Sequence, residues 1–86
     1  MSIKLKICLP DRVYLNTSAN KVLIPVKEGN LTIIHERAPR SQLLTEGVVA
    51  LLDENNQTLK QWKIGGGFAE IAQNECQLAV EQIEKI

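Results

Sequence analysis

Aromatic side chains are scarce in this 86-residue chain, which holds only Tyr14, Trp62 and Phe68. A core must then be built from Ile, Leu and Val, whose shapes suit a pleated sheet. The aromatic platforms on which single-stranded nucleic acid stacks have no material here. Net charge is lacking too: ten Lys and Arg balance ten Asp and Glu, so the basic footprint of a phosphate-backbone binder is missing and no nucleic-acid partner is expected. The balance is uneven along the chain, with seven basic and three acidic residues in 1–43 and three basic and seven acidic in 44–86. Strands from the two halves interleave in a sandwich, so this bias does not by itself make a spatial dipole.

Histidine is represented by His35 alone and cysteine by Cys8 and Cys76, with no CxxC spacing and none of the cysteine density of a small secreted domain. Two reduced, partly buried thiols are expected. A zinc site would need His35, both cysteines and a carboxylate to converge from distant segments, and no metal is expected. No apolar run approaches the roughly 20 residues of a spanning helix. The start Met1-Ser2-Ile3-Lys4-Leu5-Lys6 has no apolar stretch of the signal-peptide kind. The chain is expected to be made and kept in the cytosol, without inserting into a membrane.

What the chain does have is short alternating runs. Ile3, Leu5, Ile7 and Leu9 alternate with Lys4, Lys6 and Cys8, which puts the apolar set on one face of a strand. Pro10-Asp11 ends it. Val13 to Leu15 reads as a second short strand, Asn16 to Asn20 as turn chemistry, and Lys21 to Val26 as a third strand whose Pro25 fits best at an edge or a bulge. Glu28-Gly29-Asn30 turns into a strand at Leu31 to Ile34. Glu36 to Ser41 reads as an exposed loop around Ala38-Pro39, displaying Glu36, Arg37 and Arg40, and Ser41 to Leu44 has room for a single helical turn. Gly47 to Leu52 and Gln57 to Ile64 flank Asp53-Glu54-Asn55-Asn56, a hairpin signature. After three glycines come Phe68 to Ala72, a turn at 73–75, and a strand in which Cys76, Leu78 and Val80 alternate with polar and small residues. Only Glu81 to Ile86 has the makings of a helix start. Turn signals every eight to twelve residues indicate an all-β fold, a single small β-sandwich of about ten short, mostly antiparallel strands spanning residues 1–86.

Catalytic chemistry finds little support. Gly65-Gly66-Gly67 invites a phosphate-loop reading, but a Walker loop needs Gly-Lys-Ser/Thr opening a helix, whereas Phe68-Ala69-Glu70-Ile71 reads as strand. These glycines are expected to adopt positive φ or to let a neighbouring strand come close. The carboxylates fall in turns or on polar strand faces, and neither cysteine has an activating context. Trp62 and Phe68 read as core or strand-packing residues rather than exposed anchors. An enzyme is not expected, and neither is a cofactor.

The order of five motifs carries more. Ile24-Pro25, Glu28-Gly29-Asn30-Leu31-Thr32-Ile33, Ala38-Pro39, Leu44 to Val48 and Gly66 to Ile71 followed by Asn74, with Cys8-Leu9-Pro10-Asp11 ahead of them, run across nearly the whole chain. Their order and spacing resemble the amino-terminal β-sandwich domain of the epsilon chain of rotary F-type ATP synthases. Two positions depart from the family pattern: Glu36-Arg37 stands where the family has Gly-His, and Asn30 where it has the second glutamate of its turn. The resemblance implies a non-catalytic rotor subunit, partnered by the gamma shaft and the c-ring of the membrane sector, that couples ion translocation to ATP synthesis. It implies a location peripheral to the inner (plasma) membrane on the cytoplasmic side. Asn30 would face the ring; Leu9, Arg37 and Gln42 would face gamma. Typical bacterial members continue into a two-helix hairpin that can inhibit hydrolysis, and a full-length chain stopping at Ile86 would lack that switch. Two alternatives stand beside this reading: a stand-alone β-sandwich adaptor derived from the family, and a nucleotide binder using Gly65 to Gly67.

Overall fold

The alternation in the first strand survives intact in three dimensions. In a computed structural model that describes residues 2–34 and 39–86, β1 (Ile3–Leu9) buries Ile3, Leu5 and Ile7 while Lys4 stays in solvent. It is followed by β2 (Arg12–Ala19), β3 (Lys21–Val26), β4 (Gly29–Ile33), β5 (Arg40–Leu52), β6 (Thr58–Ala72), β7 (Glu75–Val80) and β8 (Ile83–Lys85). These form one hydrogen-bonded sheet in the order β2-β1-β7-β6-β5-β3-β4, with β8 paired to β6. All pairings are antiparallel except β1 with β7.

That sheet cannot be flat. β1 and β3 have three strands between them in the order, yet they touch, and their buried residues share one cluster with those of β5, β6 and β7. Eight strands about 4.8 Å apart would make a wide, thin ribbon, whereas the least extent of the backbone is 26 Å. The sheet folds over on itself into the expected sandwich. Ile3, Leu5, Ile7, Val22, Ile24, Ile33, Val49, Ile64, Ile71 and Leu78 fill the space between the layers. Each such aliphatic contributes about 1.5–3 kcal/mol of burial, the main force holding so small a domain together.

The fold-over is achieved by two long strands, where the sequence suggested several short ones. β5 pairs with β6 from Arg40↔Ile71 to Leu52↔Thr58, skipping the Thr45–Gly66 position and bulging at Leu59, where the register shifts between Leu51 and Leu52. One half of β6, Gly67–Ala72, also pairs with β7, and the other half, Trp62–Ile64, pairs with β8. The hairpin thus passes from one layer to the other through the glycines, which bend a strand instead of ending it. Among the described residues there are eight strands for this reason, fewer and longer than the ten expected. Gly66 and Gly67 have φ of +108° and +154°, and a Cβ on Gly67 would run into the carbonyl of Ala79. Both uses foreseen for these glycines are therefore present.

Three local expectations are overturned by pairing. Ser41 to Leu44 is strand, held by Glu70 to Gly67; Asn16 to Ala19 is strand, held by Lys6 to Ile3; and Ile83 to Lys85 extends along β6 instead of starting a helix. In each case a neighbouring strand supplies hydrogen bonds that outweigh weak local propensity. Pro25 lies in β3, which has strands on both sides, but the β3/β5 ladder ends at Leu23, and Pro25 packs over Gly47, where a Cβ would come within 2.7 Å of its ring. The Asp53 turn is as expected: its carboxylate accepts from the amides of Asn55 and Gln57 at 2.8 and 2.9 Å. The β6/β7 hairpin turns on Gln73 and Asn74, both at positive φ, the geometry a two-residue hairpin loop demands.

Candidate functional site

Residues facing each other across a ladder share a face of the sheet, so the registers can be read across strands as rows. On the outer face of β2-β1-β7-β6-β5 one row runs Val13, Cys8, Ala79, Phe68, Leu43. Every member is apolar or a thiol, and none belongs to the core cluster. Leu43 is 68% exposed, Val13 50% and Phe68 41%. Four strand gaps make the row about 19 Å long. The next row along the same face is Asn16, Lys6, Gln77, Glu70, Ser41, and the one beyond includes Ser18, Lys4 and Glu75. The face is thus divided into a polar field, with Lys4 and Glu75 opposite one another, and an apolar strip along one end.

Beyond the strip the strands run out into an open groove of about 650 Å³. β1 leaves through Leu9 and Pro10, β7 through Val80 and Glu81, and β6 crosses as Gly67, Gly66 and Gly65, which have no side chains to fill the space. Among the described residues, Glu81 is the one charged residue in the lining. The lining is mainly apolar side chain and glycine backbone, with the Cys8 thiol and the Glu81 carboxylate, and offers contact area and shape. Among the described residues no charged side chain is buried, and no group of three His, Cys, Asp or Glu is placed to hold a metal. Cys76 is 1% exposed between the layers, and burial pushes its thiol up to about 12, so it stays protonated and unreactive. Cys8, in the strip, is half-buried, and both thiols are free. Among the described residues no helix is long and apolar enough to cross a membrane.

The residues singled out in the sequence fall in different places. Leu9 packs against the core and lines the groove. Gln42 pairs with Ala69, which is fully buried, so it lies on the core side of β5, half-buried at the margin and on the opposite face from Leu43. Asn30 is exposed in the β3/β4 hairpin, opposite Pro25. Arg37 lies outside the described residues, as do His35, Glu36 and Ala38. Of the two aromatics expected inside, Trp62 is 2% exposed but Phe68 faces outward. Leu43, Phe68, Ala79 and Val13 were not legible as a group: each is one apolar residue in its own segment, and only the cross-strand register assembles them.

Residues 2–86 match the family described as ATP synthase, Delta/Epsilon chain, beta-sandwich domain. Among similar proteins, the ATP synthase epsilon chain of Sinorhizobium fredii is 32% identical, the match covering 93% of this chain and 59% of that protein. The epsilon chain of Granulibacter bethesdensis is 33% identical, covering 95% and 60%. The chloroplastic epsilon chain of Tupiella akineta is 30% identical, covering 98% and 63%. The chain therefore spans about 60% of the length of these relatives. Two solved structures share the fold. One is a chain of the Euglena gracilis mitochondrial ATP synthase (OSCP/F1/c-ring, rotational state 1), with TM-score 0.83 at 20% identity, covering 98% of this chain and 53% of that one. The other is a chain of the Tetrahymena thermophila mitochondrial ATP synthase central stalk and c-ring, with TM-score 0.72 at 18% identity, covering 95% and 65%.

Proposed function

The chain belongs to the family of ATP synthase delta/epsilon chain β-sandwich domains, and from that premise we propose that it is a non-catalytic subunit of the central stalk of an F-type ATP synthase. It joins the gamma shaft to the c-ring, on the cytoplasmic side and peripheral to the membrane, and helps couple ion translocation to ATP synthesis. Its work is mechanical. A sheet registered across seven strands and backed by one continuous core resists shear, and torque passes through it from one docking surface to another.

The observation that carries the docking half of this reading is the exposed strip Val13, Cys8, Ala79, Phe68, Leu43. A continuous apolar strip that exposes Val13, Phe68 and Leu43 on an otherwise polar face is the signature of a surface meant to be covered. Completing the burial of Leu43, Phe68 and Val13 would contribute on the order of 1 kcal/mol each. The gamma shaft is the proposed occupant, with Leu9 and Arg37 in the same interface. Gln42, on the core side of its strand, is a lesser contributor than Leu43. Asn30, exposed in the β3/β4 hairpin, is proposed to face the polar loops of the c-ring.

The test is size-exclusion chromatography with light scattering on this chain co-expressed with the gamma subunit of the same organism. A one-to-one complex that Leu43→Asp combined with Phe68→Asp dissolves is the expected result. Two separate, well-folded species from the unsubstituted pair would leave the chain a stand-alone adaptor.

A further inference from the structure

The groove beside the strip has a more particular shape than docking alone requires. Its floor is formed by Cys8 and Ala79, the smallest side chains of the row, and by the bare backbone of Gly65 to Gly67. Phe68 and Leu43 stand along one side, where β6 and β5 continue the row. At the far end lies Glu81, with no cation among the described residues of the lining to offset it. Glu46, the ladder partner of Gly65, lies outside the groove, in a neighbouring hollow that it shares with Lys63 and Glu84.

Such a hollow is apolar along its length and anionic at one end. It suits a side chain or pair of side chains with the same polarity: apolar bulk over Cys8 and Ala79, and a cation at Glu81. Resting on the reading of the strip as the gamma-facing surface, we propose that the groove is a selectivity socket for a segment of the shaft in which a bulky apolar residue stands next to an arginine or lysine. The apolar residue replaces water in the hollow left by the glycines, and the cation pairs with Glu81. The strip supplies area, which slides; the socket supplies one position that fits, and so fixes where along the shaft the sandwich sits. An acidic partner segment is repelled at the same point, the repulsive element on which discrimination between related partners depends.

The test measures the dissociation constant of the complex with purified gamma subunit from the same organism, at two salt concentrations. Ala79→Trp fills the hollow and is expected to weaken binding at least about tenfold, the size of effect a blocked central pocket produces. Glu81→Gln is expected to weaken it about three- to tenfold at low salt and to flatten its salt dependence, with Glu81→Lys weaker still. Glu70→Gln, in the polar field of the same face, should bind as the unsubstituted chain does. Glu81 is exposed and lies between β7 and β8, so its variants keep the fold and stand as evidence even if Ala79→Trp does not. Normal binding by the Ala79 and Glu81 variants, alongside lost binding by Leu43→Asp, overturns the socket and leaves the docking reading intact. Normal binding by Leu43→Asp overturns both. Self-association of the chain alone with the same sensitivity at Ala79 and Glu81 assigns the groove to a second copy, whose adjacent Arg12 and Val13 have the required polarity, and also overturns the proposal.

Discussion

Replacing Gly67 by alanine puts a methyl group where β7 already is. The added Cβ would overlap the carbonyl oxygen of Ala79 and come within 2.9 Å of Val80 Cγ1, and its residue would have to hold φ at +154°. β7 cannot retreat freely, because Gly67↔Val80 and Phe68↔Ala79 begin its ladder with β6. Overpacking costs about 1–3 kcal/mol, a strained φ about 1–3 kcal/mol, and one weakened ladder bond about 1 kcal/mol. Partial relaxation leaves a total of roughly 3–5 kcal/mol. A domain of 86 residues has about 4–13 kcal/mol to lose. At about 4–8 °C per kcal/mol, the melting temperature by circular dichroism should fall by at least about 12 °C. Gly29→Ala is the control: φ there is +126°, but nothing lies within 4 Å of the new Cβ. It pays for conformation only, about 1 kcal/mol, or about 4–8 °C. A Gly67→Ala melting point within about 3 °C of the unsubstituted chain, or equal to that of Gly29→Ala, would refute the claim that close approach of β7 is what requires this glycine.

Asp53→Ala removes an acceptor used by two backbone amides in the β5/β6 turn and should cost about 0.5–2 kcal/mol in a denaturant titration, with Asp53→Asn losing less. The thiols should differ sharply: at pH 8, Cys8 should alkylate readily, and Cys76, held protonated by burial with its pKa near 12, only as fast as the fold opens. Because burial holds the folded pKa of Cys76 above the ordinary thiol value, the unfolded chain loses this proton first as pH rises. The group's contribution to stability is therefore complete below about pH 9 and declines between about pH 9 and 12, and Cys76→Ala should reduce the steepness of that decline. Leu43→Asp, 68% exposed, should leave stability within about 0.5 kcal/mol, which separates a docking role from a packing role.

The alternation of Ile3, Leu5 and Ile7 and of Cys76, Leu78 and Val80 was enough to place β1 and β7, because a period of two is a direct statement about faces. Asp53 to Asn56 announced its hairpin for the same local reason. What failed was whatever a neighbouring strand decides. Asn16 to Ala19 is poor strand sequence by composition, yet β1 holds it extended. Glu81 to Ile86 reads as helix start, yet β6 has an edge free at Trp62 to Ile64 and takes it up. The glycines were legible as special but not as a fold-over, since nothing local says that a strand continues through them. The docking strip is of the same kind. Leu43 is one leucine beside the buried Leu44, and Phe68 one aromatic beyond the glycines, and their adjacency to Ala79, Cys8 and Val13 exists only in the register of five strands.

Cys8 is a member of that strip, between Val13 and Ala79, which therefore carries its own reporter. The most direct test of the central claim is the alkylation rate of Cys8 in Cys76→Ala chain, measured alone and in complex with the gamma subunit. The account predicts ready labelling of the free chain and slowing of at least about tenfold in the complex, the protection that follows when a water-excluding contact covers the residue. Equal rates in a complex shown by light scattering to be intact would mean that gamma binds elsewhere, and that the strip across β5, β6, β7, β1 and β2 is not the shaft-facing surface.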